Sequence, residues 1–172
     1  MAAHNEERDL LRQTVAALVD KHATPEAVRA AMESERGYDE TLWQLLCEQV
    51  GAAALVVPEE LGGAGGQLAD AAVVLEELGK ALVPTPLLGT VLAELALLTA
   101  EQPDTATLEQ LAAGNAIGAV VCGTDYAVNG DLVGAAGVDG VVVGTVGSRL
   151  TRWTGFTAEP AVTMDPTRRL GR

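Results

Sequence analysis

The hydrophobic period of this chain changes once, near residue 115, and that change restricts the fold more than any single motif does. Before it, apolar residues recur at helical spacing, as Leu10, Leu11, Thr14, Val15, Leu18 and Val19 do within residues 5–22. Thr24 followed by Pro25 predicts a second helix to about Glu35, with a hydroxyl at the N-cap and proline in the first turn. Gly37 interrupts it. Asp39 is placed to cap a third helix whose buried stripe is Leu42, Leu45, Leu46 and Val50, and Gly51 closes that helix. Residues 55–66, LVVPEELGGAGG, read as an extended piece and a glycine-rich loop. Helical patterns follow over about 67–82, from Leu87 to Thr99, and from Asp104 to Ala113, where Gly114 ends the last.

After Gly114 the pattern is short, valine-rich and punctuated by Gly, Asn and Asp. Residues 117–123, 131–136, 138–146 and 160–164 are predicted strands, and Asn129-Gly130 carries a strong hairpin signal. A helical block followed by a run of strands implies an α+β chain: an all-helical unit over residues 1–115 and a small antiparallel β-domain over 116–172.

The apolar mass is Ala, Val and Leu, with only 3% aromatic residues, so the core must form through many small contacts. The net charge of −13 lies entirely in residues 1–117, which carry 19 acidic and 6 basic side chains. So acidic a chain lacks the basic footprint that nucleic acid requires. No apolar run approaches the roughly 18 residues that span a bilayer, and the opening MAAHNEERDL is too charged for a secretory signal. The expected location is the cytoplasm. Cys47 and Cys122 belong to no C-x-x-C or Cys/His set and read as small core residues, which suits a reducing compartment. His4 and His22 read as solvated, with no metal site or Ser/His/Asp set to be assembled around them. Arg168, Arg169 and Arg172 read as a solvated basic segment rather than a phosphate contact.

The order of the pieces carries a resemblance. Trp43-Gln44-Leu45-Leu46, Val50-Gly51 and the loop from Val57 to Gly66 resemble the second helix and following loop of acyl-CoA dehydrogenases. Leu75-Glu76-Glu77-Leu78-Gly79-Lys80-Ala81-Leu82 is similar to that family's next helix, and Pro84-Thr85-Pro86 to the turn after it. Leu111-Ala112-Ala113-Gly114 sits where the family passes from its helical domain to its β-domain. Asp165-Pro166-Thr167-Arg168-Arg169-Leu170 is similar to a segment late in that β-domain.

The resemblance implies an FAD-dependent oxidoreductase that removes two hydrogens from an acyl-CoA thioester. A carboxylate takes the α-proton while the β-hydride passes to the flavin. It further implies acyl-CoA as substrate, homo- or hetero-oligomers of acyl-CoA dehydrogenase subunits, and electron-transfer flavoprotein as redox partner. By the same resemblance the stretch after Pro84 floors the acyl pocket, with Pro86 and Thr90 as substrate-binding residues. Thr124 and Asp125 stand where the family has its flavin-binding Thr-Glu pair. The family's Gly/Ser-rich turn has no counterpart, and Trp153-Thr154 imitates a second flavin-contacting pair at a later place in the order. No catalytic base is assigned, because in the family it belongs to a second helical domain that would begin after Arg172. The expected function is therefore part of an acyl-CoA dehydrogenase subunit of lipid or steroid side-chain catabolism, not catalytic as an isolated chain. The alternative is a degenerate structural subunit paired with a competent one. Glu59 and Glu60 are adjacent in sequence and do not converge as an acid–base pair must, so their loop reads as structural.

Overall fold

Capping chemistry fixes most helix ends. A computed structural model describes residues 2–122, 126–129, 140–146, 149–154 and 157–172, without the side chains of 2–4, 122, 126 and 127. Helix α1 spans Ala2–His22, and α2 spans Pro25–Glu33, its first turn held by Thr24 Oγ1 accepting from the Ala27 amide at 3.2 Å. Asp39 Oδ1 accepts from the Leu42 amide at 3.0 Å and opens α3, Glu40–Leu45. That helix widens into a π-turn over Leu46–Val50 and stops at Gly51, whose φ of 68° is left-handed. Helix α4, Leu68–Lys80, opens on a reciprocal pair of bonds between Gln67 and Asp70. Helix α5 is Leu87–Leu97, and α6, Thr105–Ala112, is capped by Asp104 and ended at Gly114, φ 73°.

The expected extended piece at 55–66 is instead a knot of turns. The amides of Gly63, Ala64 and Gly65 donate back to the carbonyls of Pro58, Ala54 and Val57. A Cβ on Gly63 would overlap the Val57 carbonyl, so the loop closes only because that residue has no side chain. Glu59 and Glu60 are exposed on its rim.

Helices α1 and α4 pack together through Val15, Val19, Ala71, Val74 and Leu78, while charged pairs border the seam. Arg8 Nε lies 2.7 Å from Asp70 Oδ1, and Lys80 Nζ lies 2.7 Å from the nearly buried Glu77 carboxylate.

Among the described residues six strands make one sheet: β1 Ile117–Cys122, β2 Tyr126–Val128, β3 Gly140–Val146, β4 Arg149–Trp153, β5 Pro160–Ala161 and β6 Leu170–Gly171. Their spatial order is β4-β3-β1-β2-β6-β5. The pairings are antiparallel except β1 with β3, which run parallel from Ile117 opposite Gly140 to Val120 opposite Val143. Residues 160–164 supply only a two-residue strand, and Val162 and Met164 beyond it are wholly exposed. Strand β4 carries no strong sequence signal: its outer residues are polar and mostly exposed. Cys122 is the strand partner of Tyr126 in the β1–β2 pairing. Gly130 and the expected strand at 131–136 lie outside the described residues.

Candidate functional site

Helix α5 is the element on which the expected site depends, and it lies almost in backbone contact with β1. Two glycines allow this. A Cβ on Gly118 would stand 2.6 Å from Ala93 Cβ and 2.8 Å from Thr90 Cα. A Cβ on Gly89 would overlap the side chain of Asn129 and the Gly118 carbonyl.

A closed set of hydrogen bonds locks this approach. Thr90 is fully buried; its hydroxyl donates to the Pro86 carbonyl at 2.9 Å and accepts from the Gly118 amide at 3.0 Å. Asn129, 4% exposed, donates from Nδ2 to the Pro86 carbonyl at 2.6 Å and the Gly118 carbonyl at 2.9 Å. Its own amide donates to the Arg169 carbonyl. The φ of Asn129 is 59°, a left-handed conformation that asparagine tolerates better than most residues. The turn signal in the sequence was thus a signal for this backbone geometry, used here to tie α5, β1 and the strand β6 together. Pro86 and Thr90, the expected substrate-binding residues, are brought together, and both are buried in this staple. The hydroxyl and the carbonyl are already engaged within the protein.

One turn further along the same helix, Glu94 is the opposite case. It is 0% exposed, and neither carboxylate oxygen has a hydrogen-bond partner. Burial alone pushes its pKa up to about 9, so it is a neutral acid at pH 7. The Cys47 thiol, in the π-turn, is itself pushed up to about 12, chiefly by burial, which leaves it protonated. Gly114 completes the junction: a Cβ there would strike Cys47 Sγ, and the Gly114 carbonyl accepts from the buried Trp43 indole at 3.2 Å. Sequence reading passed over Glu94. The available signal was a single charge inside the apolar run from Leu87 to Leu98.

Of the three arginines at the end of the β-region Arg172 is exposed, as expected, but the other two are not solvated. Arg168 and Arg169 are half-buried, with Arg168 Nη1 reaching the Val83 carbonyl at 3.4 Å. They border a cleft of about 120 Å³ beside Pro84 and Thr85. His22 is half-buried at the end of α1, and the side chain of His4 lies outside the described ones. Among the described residues no three His, Cys, Asp or Glu side chains gather as a metal site, and no helix is long and apolar enough to cross a membrane.

The positions expected to grip a flavin, Thr124 and Asp125, lie outside the described residues. Trp153 of the imitating pair packs near Gly144 in the sheet, with its indole nitrogen enclosed and unpartnered, while Thr154 is exposed. An enclosed donor is not presented to a cofactor. The Trp153-Thr154 pair therefore offers no flavin contact.

Residues 5–115 match the family described as acyl-CoA dehydrogenase, N-terminal domain. The chain is 66% identical over 167 residues to acyl-CoA dehydrogenase IpdE2 of Mycobacterium tuberculosis, covering 97% of this chain and 51% of that protein. It is 65% identical to the protein of the same name from Mycolicibacterium smegmatis, covering 96% of this chain and 51% of that protein. Among solved structures it is similar to a variant of the Tcur3481–Tcur3483 steroid ACAD, with TM-score 0.74 and 25% identity over 97% of this chain and 54% of that one. The ChsE4–ChsE5 complex from Mycobacterium tuberculosis shares the fold, with TM-score 0.68 and 22% identity over 95% of this chain and 56% of that one. The chain belongs to the acyl-CoA dehydrogenase family. It spans about half the length of the curated relatives it matches, 51% of each.

Proposed function

We propose that these 172 residues form the amino-terminal helical unit, residues 1–115, and the β-domain, residues 116–172, of a cytoplasmic acyl-CoA dehydrogenase subunit. The family match over residues 5–115 carries the reading. In the assembled enzyme FAD would supply the hydride acceptor and an acyl-CoA would be the substrate. This chain contributes the α5 wall of the acyl pocket, with the Pro86–Thr90 staple holding that wall to the sheet. Removing a proton beside a thioester carbonyl needs a base within hydrogen-bonding reach. Glu94, neutral and enclosed, is unsuited to that task, and no residue of this chain is assigned as the base. Thr124 and Asp125 remain the positions proposed to touch the flavin, and electron-transfer flavoprotein the proposed electron acceptor.

Hetero-oligomeric assembly is the second part of the proposal. The neighbouring structures named above include a complex of two different polypeptides, ChsE4 and ChsE5. Val146, Leu150, Val162 and Met164 leave apolar side chains exposed in the strand region, available for burial against further protein. Under this reading the chain is either half of a competent subunit or a structural subunit beside one. The purified 172-residue chain is expected to be colourless and inactive toward saturated acyl-CoAs with an artificial electron acceptor. Stoichiometric flavin with turnover would overturn the division of labour. Flavin that appears only after a second subunit is added would favour the structural role.

A further inference from the structure

Nothing in the proposed reaction uses the cleft between the α4–α5 turn and the end of the β-region. Pro84, Leu88 and Leu170 give it an apolar floor, and Thr85, Arg168 and Arg169 stand on its border. Among the described residues no acidic side chain lines it, although the chain carries a net charge of −13. The turn that presents the arginines is fixed by its own bonds. Asp165 Oδ1 accepts from the Thr167 amide at 2.9 Å and from its hydroxyl at 2.6 Å, and the Arg168 amide donates to the Asp165 carbonyl at 3.1 Å. The one carboxylate close to Arg168 within this turn is thus directed back onto the turn itself. Both guanidiniums are held against the helical unit. Arg168 Nη1 donates to the Val83 carbonyl at 3.4 Å, and the Arg169 head lies on the backbone of Gly37, where a Cβ would stand 3.0 Å from Cζ. A cation already held in place loses little freedom when it meets an anion. The half-buried Thr85 hydroxyl makes no hydrogen bond among the described residues. Guanidinium and hydroxyl donors above an apolar floor are complementary to a carboxylate on a short hydrocarbon. The volume of about 120 Å³ is well below the roughly 300 Å³ of a drug-sized pocket, and suits a few carbon atoms rather than a nucleotide.

We propose that this cleft is a binding site for a small free carboxylate with a hydrocarbon body. The carboxylate accepts from Arg168 and the Thr85 hydroxyl, and the hydrocarbon covers Leu88 and Leu170. The site goes beyond the proposed dehydrogenation: it takes a free acid rather than a thioester, and it needs neither flavin nor base. An occupant bridges the Asp165–Leu170 turn to the start of α5. Because the Arg169 carbonyl also receives the Asn129 amide, that bridge tightens the same flank of the sheet.

The test titrates sodium hexanoate into the full 172-residue chain, beside two controls. Hexan-1-ol has the same carbon skeleton without the charge, and inorganic phosphate has charge without hydrocarbon. Hexanoate is expected to bind about tenfold more tightly than either. Arg168→Met, which keeps the stem and removes the guanidinium, should abolish the advantage over hexan-1-ol. A second measurement needs no variant and decides the matter even if Arg168→Met fails to fold. Phenylglyoxal, an arginine reagent, should modify Arg168 more slowly in the presence of hexanoate than of hexan-1-ol, as read from peptide masses. Hexan-1-ol binding as tightly as hexanoate would show that the arginines contribute nothing, and phosphate binding as tightly would reduce the cleft to a general anion spot. Either result overturns the proposal, as do absence of hexanoate binding, an advantage that survives Arg168→Met in a folded variant, and equal modification of Arg168 with both probes.

Discussion

Thr90 and Glu94 occupy successive turns of the same face of α5, are equally buried, and differ in everything else. The Thr90 hydroxyl gives and receives a hydrogen bond, and with Asn129 it leaves the surrounding backbone groups satisfied. Glu94 has burial without a partner. Burial of a polar group on this helix therefore does not imply that the group is satisfied. A satisfied group stiffens the fold, whereas an unsatisfied one costs stability and must be explained by what it meets.

The comparison can be broken by substitution. Asn129→Leu should have the largest effect. It strands the Pro86 and Gly118 carbonyls and places a side chain ill suited to φ 59° there, for a loss of about 3–4 kcal/mol in denaturant unfolding. A loss under about 1 kcal/mol would show that the staple is dispensable.

Glu94 should show itself through pH. The folded state holds its proton up to about pH 9, while the unfolded chain releases it near the ordinary value of 4.5. Between those values the folded state binds more protons, so stability falls as pH rises from about 4.5 toward about 9. By pH 7 the cost is on the order of 3 kcal/mol. Glu94→Gln should flatten this slope, leaving stability at pH 5 little changed and raising it at pH 8. An unchanged slope would mean that the carboxyl is already paired.

Thr90→Val keeps the shape and removes the hydroxyl, leaving the Gly118 amide without its acceptor; a loss of about 1–2 kcal/mol is expected. The smallest effect belongs to the surface. Arg152 reaches Asp104 at 3.3 Å and Thr107 at 2.7 Å from a position nearly half exposed. Arg152→Ala should cost below about 0.5 kcal/mol and less still at high salt.

What the sequence made legible was local. Thr24, Asp39, Gly51 and Gly114 end or begin helices through bonds to residues three or four away, so their signals sit beside them. The family order was legible for the same reason, being a succession of such pieces. What stayed hidden depends on distant partners. Strands β5 and β6 are two residues long each and exist through their pairing. The Asn129 pattern is that of a hairpin, and only the approach of α5 turns its side chain into a clasp. Thr90 gave a hydroxyl on a helix but no hint that Gly118, 28 residues on, would claim it. Glu94 disappeared because helical periodicity weighs the hydrophobic neighbours and counts one acid as an interruption.

The strand order has a consequence for how the molecule is assembled. β6 lies between β2 and β5, and among the described residues β5 has no strand neighbour other than β6. A segment made earlier must therefore wait for one made later before it has anywhere to dock. The same late segment supplies the Arg169 carbonyl that receives the Asn129 amide. Until Leu170 and Gly171 leave the ribosome, one flank of the sheet and one bond of the clasp on α5 remain open together, which makes completion of that flank a late, cooperative step of folding.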